Sequence, residues 1–368
     1  PNWENPNHIQ SLLFEDVIES ARKWVSFIRE HEQPYCLIVS YHGGFERHFD
    51  TGELMEKETG ENVGYKLCME IQGIDCLITG HQHRQIENVV VNQTIVVQPG
   101  FNGQALGKVT ITFVQQDEKW KIVNKQSEIL RLYEVCEDKE IIQLCYEYEK
   151  ATQEWLDQPI GKIDGDMSIQ DPFQVRIQDH PFIEFINKVQ MDAANAEISS
   201  TALFHNEAKG FYGDVTMRDI VSNYVYPNTL VVLKVTGKDI KDALERSASY
   251  FTLNDQHELT VNPEFSTPKP QHYNYDMWEG IEYVIDVRKP FGERIVQLTH
   301  KGKPLEDDQY YHVVMNHYRA GGGGDYFMFK DKKIVKEIPI DMAQLIANYF
   351  RKHSVVKATC DHNWKIIY

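Results

Sequence analysis

The sequence predicts an α/β protein of two domains that are joined by a helix. Its 368 residues are more than one typical hydrophobic core accommodates. In the first half, short apolar runs that end in polar loops alternate with helical stripes, a pattern typical of layered α/β folds. In the second half, helical stripes and strand-like runs appear again, which indicates a second layered domain.

The first half is predicted to begin with a helix over residues 12–28, where apolar side chains recur at helical spacing. Two short apolar runs, 36–40 and 76–79, are typical of buried strands. A helix over about 63–71 separates these strands. From residue 89 to residue 123 the pattern changes to short β runs with turns between them.

Helical spacing returns over 141–155, and Pro159 ends that helix. The polar segment that follows is interpreted as the rest of an interdomain connection. The sequence therefore predicts one domain over residues 1–136, a linker helix and connector over 137–168, and a second domain over 169–368.

The second domain is predicted to contain helices over 181–189 and 238–249 and strands near 230–235 and 283–287. Residues 254–275 are polar and rich in proline, which indicates an inserted loop. Alternation of helices and strands makes this half an α/β domain as well.

The composition restricts the classes of function. A net charge of −17 repels polyanions, so we expect no binding of a nucleic-acid polymer. No apolar run reaches the length of a membrane span. A nucleotide or nucleoside remains a possible partner, because metal ions or a local Arg cluster can reverse the field inside a site. The sequence leaves the oligomeric state open.

The cysteines form no C-x-x-C pair and are interpreted as reduced, buried thiols. This favours a cytoplasmic location, with an extracytoplasmic or cell-surface location as the alternative. The chain opens at Pro1 without a methionine, and we expect further residues upstream. The six cysteines are Cys36, Cys68, Cys76, Cys136, Cys145 and Cys360.

Histidine-bearing loops follow both predicted strands of the first half. The loop at 41–44 contains His42, and the loop at 80–83 contains His81 and His83. Open α/β sheets bind ligands at the carboxyl ends of their strands. Two-metal hydrolases need His, Asp and Asn ligands from several strand ends, and a His-x-His turn can present two imidazoles to different metals. Although a chance His-x-His is unsurprising among 15 histidines, the paired loops favour a metal site.

These segments resemble a known family. Residues 40–44 and 80–83 resemble the last two metal motifs of calcineurin-like metallophosphoesterases. Residues 97–107 resemble the strand-loop-strand that follows in the 5′-nucleotidase branch, and residues 155–161 resemble its interdomain linker.

The resemblance extends through the second half. Residues 226–230, 235–237 and 316–325 are similar to the nucleotide-binding domain of the 5′-nucleotidase branch. Residues 273–276 and 280–287 are most similar to the bacterial 2′,3′-cyclic-nucleotide 2′-phosphodiesterase/3′-nucleotidase group. Nearly the whole chain is covered, with the motifs in order.

The resemblance implies the C-terminal half of a four-layer metallophosphoesterase β-sandwich flanked by helices, joined by the linker helix to an α/β nucleotide-binding domain. It implies two divalent ions, of Mn, Zn, Fe or Co, with His42 and His81 on one metal and His83 on the other. The family also uses an Asp-x-His, a bridging Asp and an Asn-His pair. We expect these catalytic residues upstream of Pro1.

In the second domain the resemblance implies that Tyr226 and Tyr318 hold a nucleobase between their rings, a stack that contributes about 1–3 kcal/mol per ring. Without the resemblance, both tyrosines would be interpreted as core or turn residues. The glycines at 321–324 would let the backbone approach a sugar. The further candidate contacts are Asn228 to a base edge, Asp325 to the ribose hydroxyls, Asn316 and Gly322.

The predicted function is metal-dependent hydrolysis of nucleotide phosphoesters, with the phosphate at one domain and the base at the other. Residues 206–211 lack the phosphate-binding Arg of many 5′-nucleotidases. This favours a 2′,3′-cyclic-nucleotide 2′-phosphodiesterase/3′-nucleotidase over a 5′-nucleotidase. A non-catalytic nucleotide-binding module and a nucleotide-sugar diphosphate hydrolase are the alternatives.

Overall fold

The computed structural model describes residues 9, 11–56, 58–267 and 269–368. The described chain forms two compact units, the smaller over Leu13–Ile142 and the larger around Gln143–Tyr368. The division falls within one helix, α3 (Lys139–Leu156). Further residues are expected before Pro1, and Pro1 itself lies outside the described residues.

The smaller unit contains a four-stranded sheet and a β-hairpin. The sheet has the order β1-β2-β4-β3, in which β1, β2 and β4 run parallel and β3 is antiparallel to β4. Strands β5 and β6 form the hairpin. The elements are α1 (Val17–His31), β1 (Ile38–Ser40), α2 (Gly64–Glu70), β2 (Cys76–Ile78), β3 (Gln85–Val91), β4 (Thr94–Pro99), β5 (Ala105–Gln116) and β6 (Lys119–Arg131).

The first helix begins later than the apolar pattern predicts. The Asp16 carboxylate accepts hydrogen bonds from the backbone N–H groups of Ile18 and Glu19 and so caps α1. Leu13 and Phe14 precede this cap and are exposed. An apolar pattern cannot distinguish residues of the helix from residues that lead into it.

Strands β1 and β2 are joined at their beginnings by Asp75. Its carboxylate accepts the Leu37 N–H at 2.9 Å and pairs with Arg29 and Lys125. Burial by itself would raise the pKa of Asp75, but the Leu37 N–H and the two basic side chains outweigh burial and hold the pKa below its ordinary value. This contact fixes the two strands whose opposite ends carry the histidine loops.

In the larger unit a five-stranded sheet is surrounded by helices and smaller sheets. The strand order of the main sheet is β13-β8-β17-β10-β18, and smaller sheets have the orders β16-β15-β14-β20, β19-β7-β9 and β11-β12. The helices are α4 (Pro172–Ile177), α5 (Pro181–Ala194), α6 (Met217–Asn223), α7 (Gly237–Ala248), α8 (His317–Ala320) and α9 (Met342–Lys352).

The strands of the larger unit are β7 (Pro159–Ser168), β8 (Ile198–Ala202), β9 (Gly210–Thr216), β10 (Leu230–Thr236), β11 (Phe251–Leu253), β12 (Leu259–Val261), β13 (Asp276–Glu279), β14 (Glu282–Asp286), β15 (Ile295–His300), β16 (Lys303–Pro304), β17 (Tyr310–Asn316), β18 (Lys333–Ile338), β19 (Val355–Lys357) and β20 (Trp364–Ile367). Thus the predicted polar insertion over 254–275 contains strand β12 and two short 3-10 turns, Pro263–Phe265 and His272–Asn274.

The polar segment predicted to complete the linker is part of strand β7, which pairs with β9 and β19. Within it, Ile163 and Met167 are the side chains buried in the core. Most of the other side chains are exposed, so the strand lacks the apolar run by which a buried strand is identified in sequence.

Four strand ends of the main sheet meet at one edge. Asn316, the last residue of β17, lies opposite Leu230, the first residue of β10. Strand β8 runs parallel to β17, and its last residue, Ala202, lies opposite Asp276, the first residue of β13. The loops that precede β10 and β13 and follow β8 and β17 are therefore neighbours.

Among the helices of the described chain, none combines the length and apolar character that crossing a bilayer requires. All six cysteines are free thiols, but Cys136 and Cys145 are exposed, so the expectation that they are buried is wrong. Cys145 lies on α3, which has a helical apolar stripe but buries none of its side chains. The predicted cytoplasmic location stays a prediction.

Candidate functional site

His42 and His81 lie at the same edge of the smaller unit's sheet. Strands β1 and β2 are parallel neighbours in register, Ile38 with Cys76. Their chains therefore leave the sheet side by side, His42 two residues after β1 and His81 three residues after β2. The centroids of the two imidazole rings are 5.5 Å apart and the rings meet edge to face.

Gln82 holds the two histidine loops together. Its carboxamide accepts the Phe45 N–H at 2.9 Å and donates to the Phe45 carbonyl at 3.0 Å. The Gly80 N–H also donates to the Gly43 carbonyl at 3.2 Å. A Cβ at Gly44 would overlap the Gln82 side chain, so that only glycine permits this packing. The residue between the two histidines thus has its own role, which the His-x-His pattern does not reveal.

His81 is oriented by a carboxylate. Its Nε2 lies 2.8 Å from Oε1 of Glu61, whose backbone carbonyl accepts a hydrogen bond from the Tyr41 hydroxyl at 2.5 Å. A carboxylate bonded to one ring nitrogen fixes the tautomer and the orientation of a metal-ligating imidazole. Glu61 was missed in the sequence, because it lies in an irregular loop 20 residues before His81.

The backbone of the His-x-His turn is strained. His81 has φ of 66° and His83 has φ of 59°, both in the left-handed region. For residues other than glycine this conformation costs roughly 1–2 kcal/mol each. Strain of this kind is concentrated at functional sites, where the surrounding structure maintains it. Here the hydrogen bonds of Gln82, between the two histidines, supply that support.

His83 leaves the turn toward a different neighbour. Its exposed imidazole stacks on Phe101, with ring centroids 4.6 Å apart and an angle of 15° between the planes. Phe101 belongs to the segment 97–107 that carries part of the family resemblance. The aromatic residue of that segment therefore positions the third histidine.

Together the three imidazoles are a partial donor set. Among the candidate metals neutral imidazole suits Zn and Fe, and His42 and His83 are exposed, so that an ion can reach them. The bridging carboxylate of a two-metal centre is not among these three residues. The structure brings His42 and His81 together, whereas His83 stacks on Phe101, and the roles of all three as ligands stay predictions.

In the larger unit, Tyr226 belongs to an aromatic cluster at the shared strand edge. Its ring makes edge contacts with Phe204 at 5.4 Å and with Tyr273 at 6.1 Å between centroids. Phe204 follows β8 and Tyr273 precedes β13, so the antiparallel pairing of these strands brings them together. Tyr226 keeps 38% of its surface exposed, enough to present a ring face to a ligand.

Tyr318 lies in the first turn of α8 and packs against the glycine run. A Cβ at Gly323 would overlap its ring, and the Gly323 N–H donates to the Tyr318 carbonyl at 3.0 Å. Gly322, with φ of 91°, donates its N–H to the Arg319 carbonyl at 3.0 Å. The glycines therefore allow the backbone to fold under Tyr318. This packing role is separate from the predicted approach of the backbone to a sugar.

Arg319, which the sequence reasoning passed over, fixes the glycine run. Its guanidinium makes two hydrogen bonds of 2.8 Å to the Asp276 carboxylate, and both side chains are about 1% exposed. It also bonds the Gly323 carbonyl and lies 3.9 Å from the Tyr326 ring centroid. Burial lowers the pKa of Arg319, but Asp276 outweighs burial and the pKa lies above its ordinary value.

The remaining predicted contacts differ in their surroundings. Asn316 is buried and its Oδ1 accepts the Arg319 N–H at 2.8 Å, so it caps α8. Asn228 is also buried, with its Nδ2 at 3.5 Å from the Tyr224 hydroxyl. Asp325 is partly exposed and pairs with Arg246 at 3.3 Å. Asp325 is therefore better placed than Asn316 to meet a ligand.

An arginine does reach Asn206, although residues 206–211 contain none. Arg176, in α4, donates from Nη1 to the Asn206 Oδ1 at 2.9 Å and from Nη2 to the Leu203 carbonyl at 3.0 Å. Its side chain is 1% exposed, and burial lowers its pKa. Arg176 therefore supports the loop from inside the core.

The fold and the paired histidine loops define an α/β protein of the metallophosphoesterase type. Residues 159–331 match the family described as the 5′-nucleotidase C-terminal domain. A solved structure of a putative 5′-nucleotidase from Staphylococcus aureus, in complex with alpha-ketoglutarate, is 36% identical, with a TM-score of 0.90 over 100% of this chain and 71% of that chain. The chain belongs to the 5′-nucleotidase family.

More distant relatives agree with this assignment. The 5′-nucleotidase precursor from Thermus thermophilus shares the fold, with 20% identity and a TM-score of 0.58 over 96% of this chain and 68% of that chain. The 2′,3′-cyclic-nucleotide 2′-phosphodiesterase/3′-nucleotidase of Salmonella typhimurium is 26% identical over 99% of this chain. The chain spans 63% of the length of that relative, and 27% of the trifunctional nucleotide phosphoesterase protein YfkN of Bacillus subtilis, to which it is 25% identical.

Proposed function

We propose that the protein is a phosphoric ester hydrolase that acts on nucleotides with the help of two divalent metal ions. The observation that carries the proposal is the convergence of His42 and His81 at the ends of two parallel strands, with ring centroids 5.5 Å apart. Family membership supports it. We assign His42 and His81 to one ion and His83 to the other, with Mn, Zn, Fe or Co as the candidate metals.

Each residue then has a defined task. When bound, the ions supply a water of lowered pKa and neutralise charge on the phosphoryl oxygens. Glu61 holds the His81 ring in one orientation. Phe101 holds His83 by stacking. Positioned ligands matter because phosphoryl transfer depends mainly on geometry and electrostatic stabilisation.

For the larger unit we propose binding of the nucleotide base and ribose. Tyr226 and Tyr318 supply aromatic faces, and Asp325 supplies a carboxylate for the ribose hydroxyls. A base held at a distance from phosphorus contributes through orientation of the substrate. The partner that we propose is thus a nucleotide or nucleoside and not a nucleic-acid polymer.

Within nucleotides, we propose 2′,3′-cyclic nucleotides or 3′-nucleotides as substrates, hydrolysed at least as well as 5′-nucleotides. The absence of Arg from residues 206–211 favours this class. The arginine that approaches Asn206, Arg176, is buried and engaged with the backbone. The relatives in Salmonella typhimurium and Yersinia enterocolitica are named for this activity.

Steady-state rates of the full-length protein with added Mn²⁺ test the proposal on 2′,3′-cyclic AMP, 3′-AMP and 5′-AMP. We expect the protein to hydrolyse 2′,3′-cyclic AMP and 3′-AMP, and we expect His81→Ala to abolish both activities. A large preference for 5′-AMP would refute the substrate class but not the hydrolase. Binding of nucleotides without turnover would indicate a binding module, and preferential cleavage of a nucleotide sugar would indicate a diphosphate hydrolase.

A further inference from the structure

Four carboxylates converge within the larger unit, on different elements from the aromatic cluster. One oxygen from each lies within 4.8 Å of the others. The residues come from the start of α5, the end of β13 and the segment between β19 and β20. They are Asp179, Glu184, Glu279 and Asp361, called here the acidic cluster.

The acidic cluster is mostly buried. Asp179, Glu184 and Glu279 are at least nine-tenths buried, whereas Asp361 is exposed and opens the cluster to solvent. Lys188 pairs with Glu184. In the described chain this ammonium group pairs with one of the four carboxylates, and the His362 imidazole lies beside Asp179. Carboxylates crowded in a buried site repel each other unless further positive charge is present.

The side chain of Glu279 is stronger evidence for a bound ligand than the grouping of four acids. Its side chain is 4% exposed, and its Oε1 has no hydrogen-bond partner in the described chain. A carboxylate oxygen of this residue is one of the atoms that face the rest of the cluster. A buried polar atom without a hydrogen-bond partner is rare in folded proteins, and a bound ion is one explanation for it.

We propose that the acidic cluster binds one calcium ion. Calcium takes six to eight oxygen ligands at about 2.3–2.6 Å, in flexible geometry, so that four carboxylates and water entering beside Asp361 fit it. A thiolate-bound metal is disfavoured, although Cys360 is adjacent, because the Cys360 thiol donates to Asp179 with Sγ–Oδ2 of 3.2 Å. Carboxylate oxygens are the ligands of hard cations.

The ion would join parts of the chain that are distant in sequence. Glu184 already accepts hydrogen bonds from Thr359 and from the Asp361 N–H, and Asp179 accepts the His362 N–H at 2.9 Å. These bonds hold residues 359–362 against the beginning of α5. Calcium would complete the junction by bringing Glu279, on the main sheet, into the same set of ligands. Its role is therefore stabilisation of the larger unit.

The test measures calcium bound by the full-length protein after chelator treatment and desalting. Wild type and Glu279→Gln are titrated with CaCl₂ or MgCl₂, and Tm and calcium ions per chain are recorded. We expect calcium to raise the Tm of wild type, magnesium to have a smaller effect, and Glu279→Gln to bind calcium at least tenfold more weakly. The control is Glu293→Gln, because Glu293 is exposed and lies outside the cluster.

Glu279→Gln keeps the shape of the side chain and takes one acid out of the crowded cluster, so without calcium it should be at least as stable as wild type. Asp361→Asn is a second variant at an exposed position, where misfolding is not expected. The proposal is overturned if wild type binds no calcium in the CaCl₂ titration, or if both variants bind it as wild type does. Loss of the calcium effect in a His42→Ala, His81→Ala double variant would also overturn it, because calcium would then bind at the histidine loops.

Discussion

The candidate residues of the two units differ in what surrounds them. In the smaller unit, His42 and His83 are exposed, and His81 and His83 have strained backbones. In the larger unit, the motif at 316–325 is largely engaged in its own folding, since Asn316 caps α8 and Arg319 is buried against Asp276. A recognised motif thus mixes residues that face a ligand with residues that support them, and burial separates the two.

The largest effect expected from this comparison is on folding of the larger unit. Arg319→Leu leaves the Asp276 carboxylate buried without its partner, and breaking a buried ion pair in this way costs about 3–5 kcal/mol. We expect a corresponding fall in the free energy of unfolding, measured by urea denaturation. The surface pair Lys301–Glu197 is the control, and Lys301→Ala should change stability little. Wild-type stability of Arg319→Leu would show that the ion pair does not support the motif.

In the smaller unit the corresponding test addresses metal affinity. Glu61→Gln weakens the orientation of His81, and loss of such an outer contact typically costs about 10–100-fold in metal affinity. We expect the metal concentration for half-maximal activity to rise by this factor, with kcat largely recovered at saturating metal. The control is Glu58→Gln, since Glu58 is exposed and pairs with Arg47. An unchanged metal requirement would remove Glu61 from the proposed site.

The tyrosines test whether the larger unit contacts the base. Tyr226→Ala or Tyr318→Ala removes a stack of about 1–3 kcal/mol, which corresponds to a KM for nucleotides raised roughly 5- to 150-fold. Hydrolysis of a phosphoester without a base should change little, because stacking does not touch phosphorus. Tyr212→Ala is the control, because Tyr212 is 71% exposed on β9. Equal losses on both substrates would mean that Tyr226 and Tyr318 are structural.

Part of this organisation could be predicted from sequence. The apolar runs before His42 and His81 identify two buried strands, and parallel strands place the loops that follow them at one edge. The contacts that hold these loops could not be predicted, because they join residues far apart in sequence. Gln82 bonds Phe45, 37 residues away, and Arg319 bonds Asp276, 43 residues away.

The same limit explains the elements that were predicted incorrectly or missed. Strand β7 is polar because most of its side chains are exposed, and its pairing with β9 and β19 leaves no apolar run in sequence. The acidic cluster combines residues from three separate segments, and each carboxylate alone is an ordinary charged residue. Local patterns therefore predict elements and their exposed ends, whereas tertiary contacts decide which polar residues are buried together.

The smallest expected effect concerns Asp75 and the strands that carry the histidine loops. Because its pKa in the folded protein lies below the ordinary value of 3.8, its ionised form stabilises the fold at pH values above 3.8. That contribution is lost as the pH falls through the lowered pKa of the folded state. We therefore expect Asp75→Asn to have a lower free energy of unfolding than wild type at pH 6. On acidification from pH 6 to pH 3, the variant should lose less of this free energy than wild type loses. Urea denaturation at the two pH values measures the difference, and Asp117→Asn, at an exposed turn, is the control. Parallel losses in wild type and Asp75→Asn would show that the contacts of Asp75 with Leu37, Arg29 and Lys125 do not hold β1 beside β2.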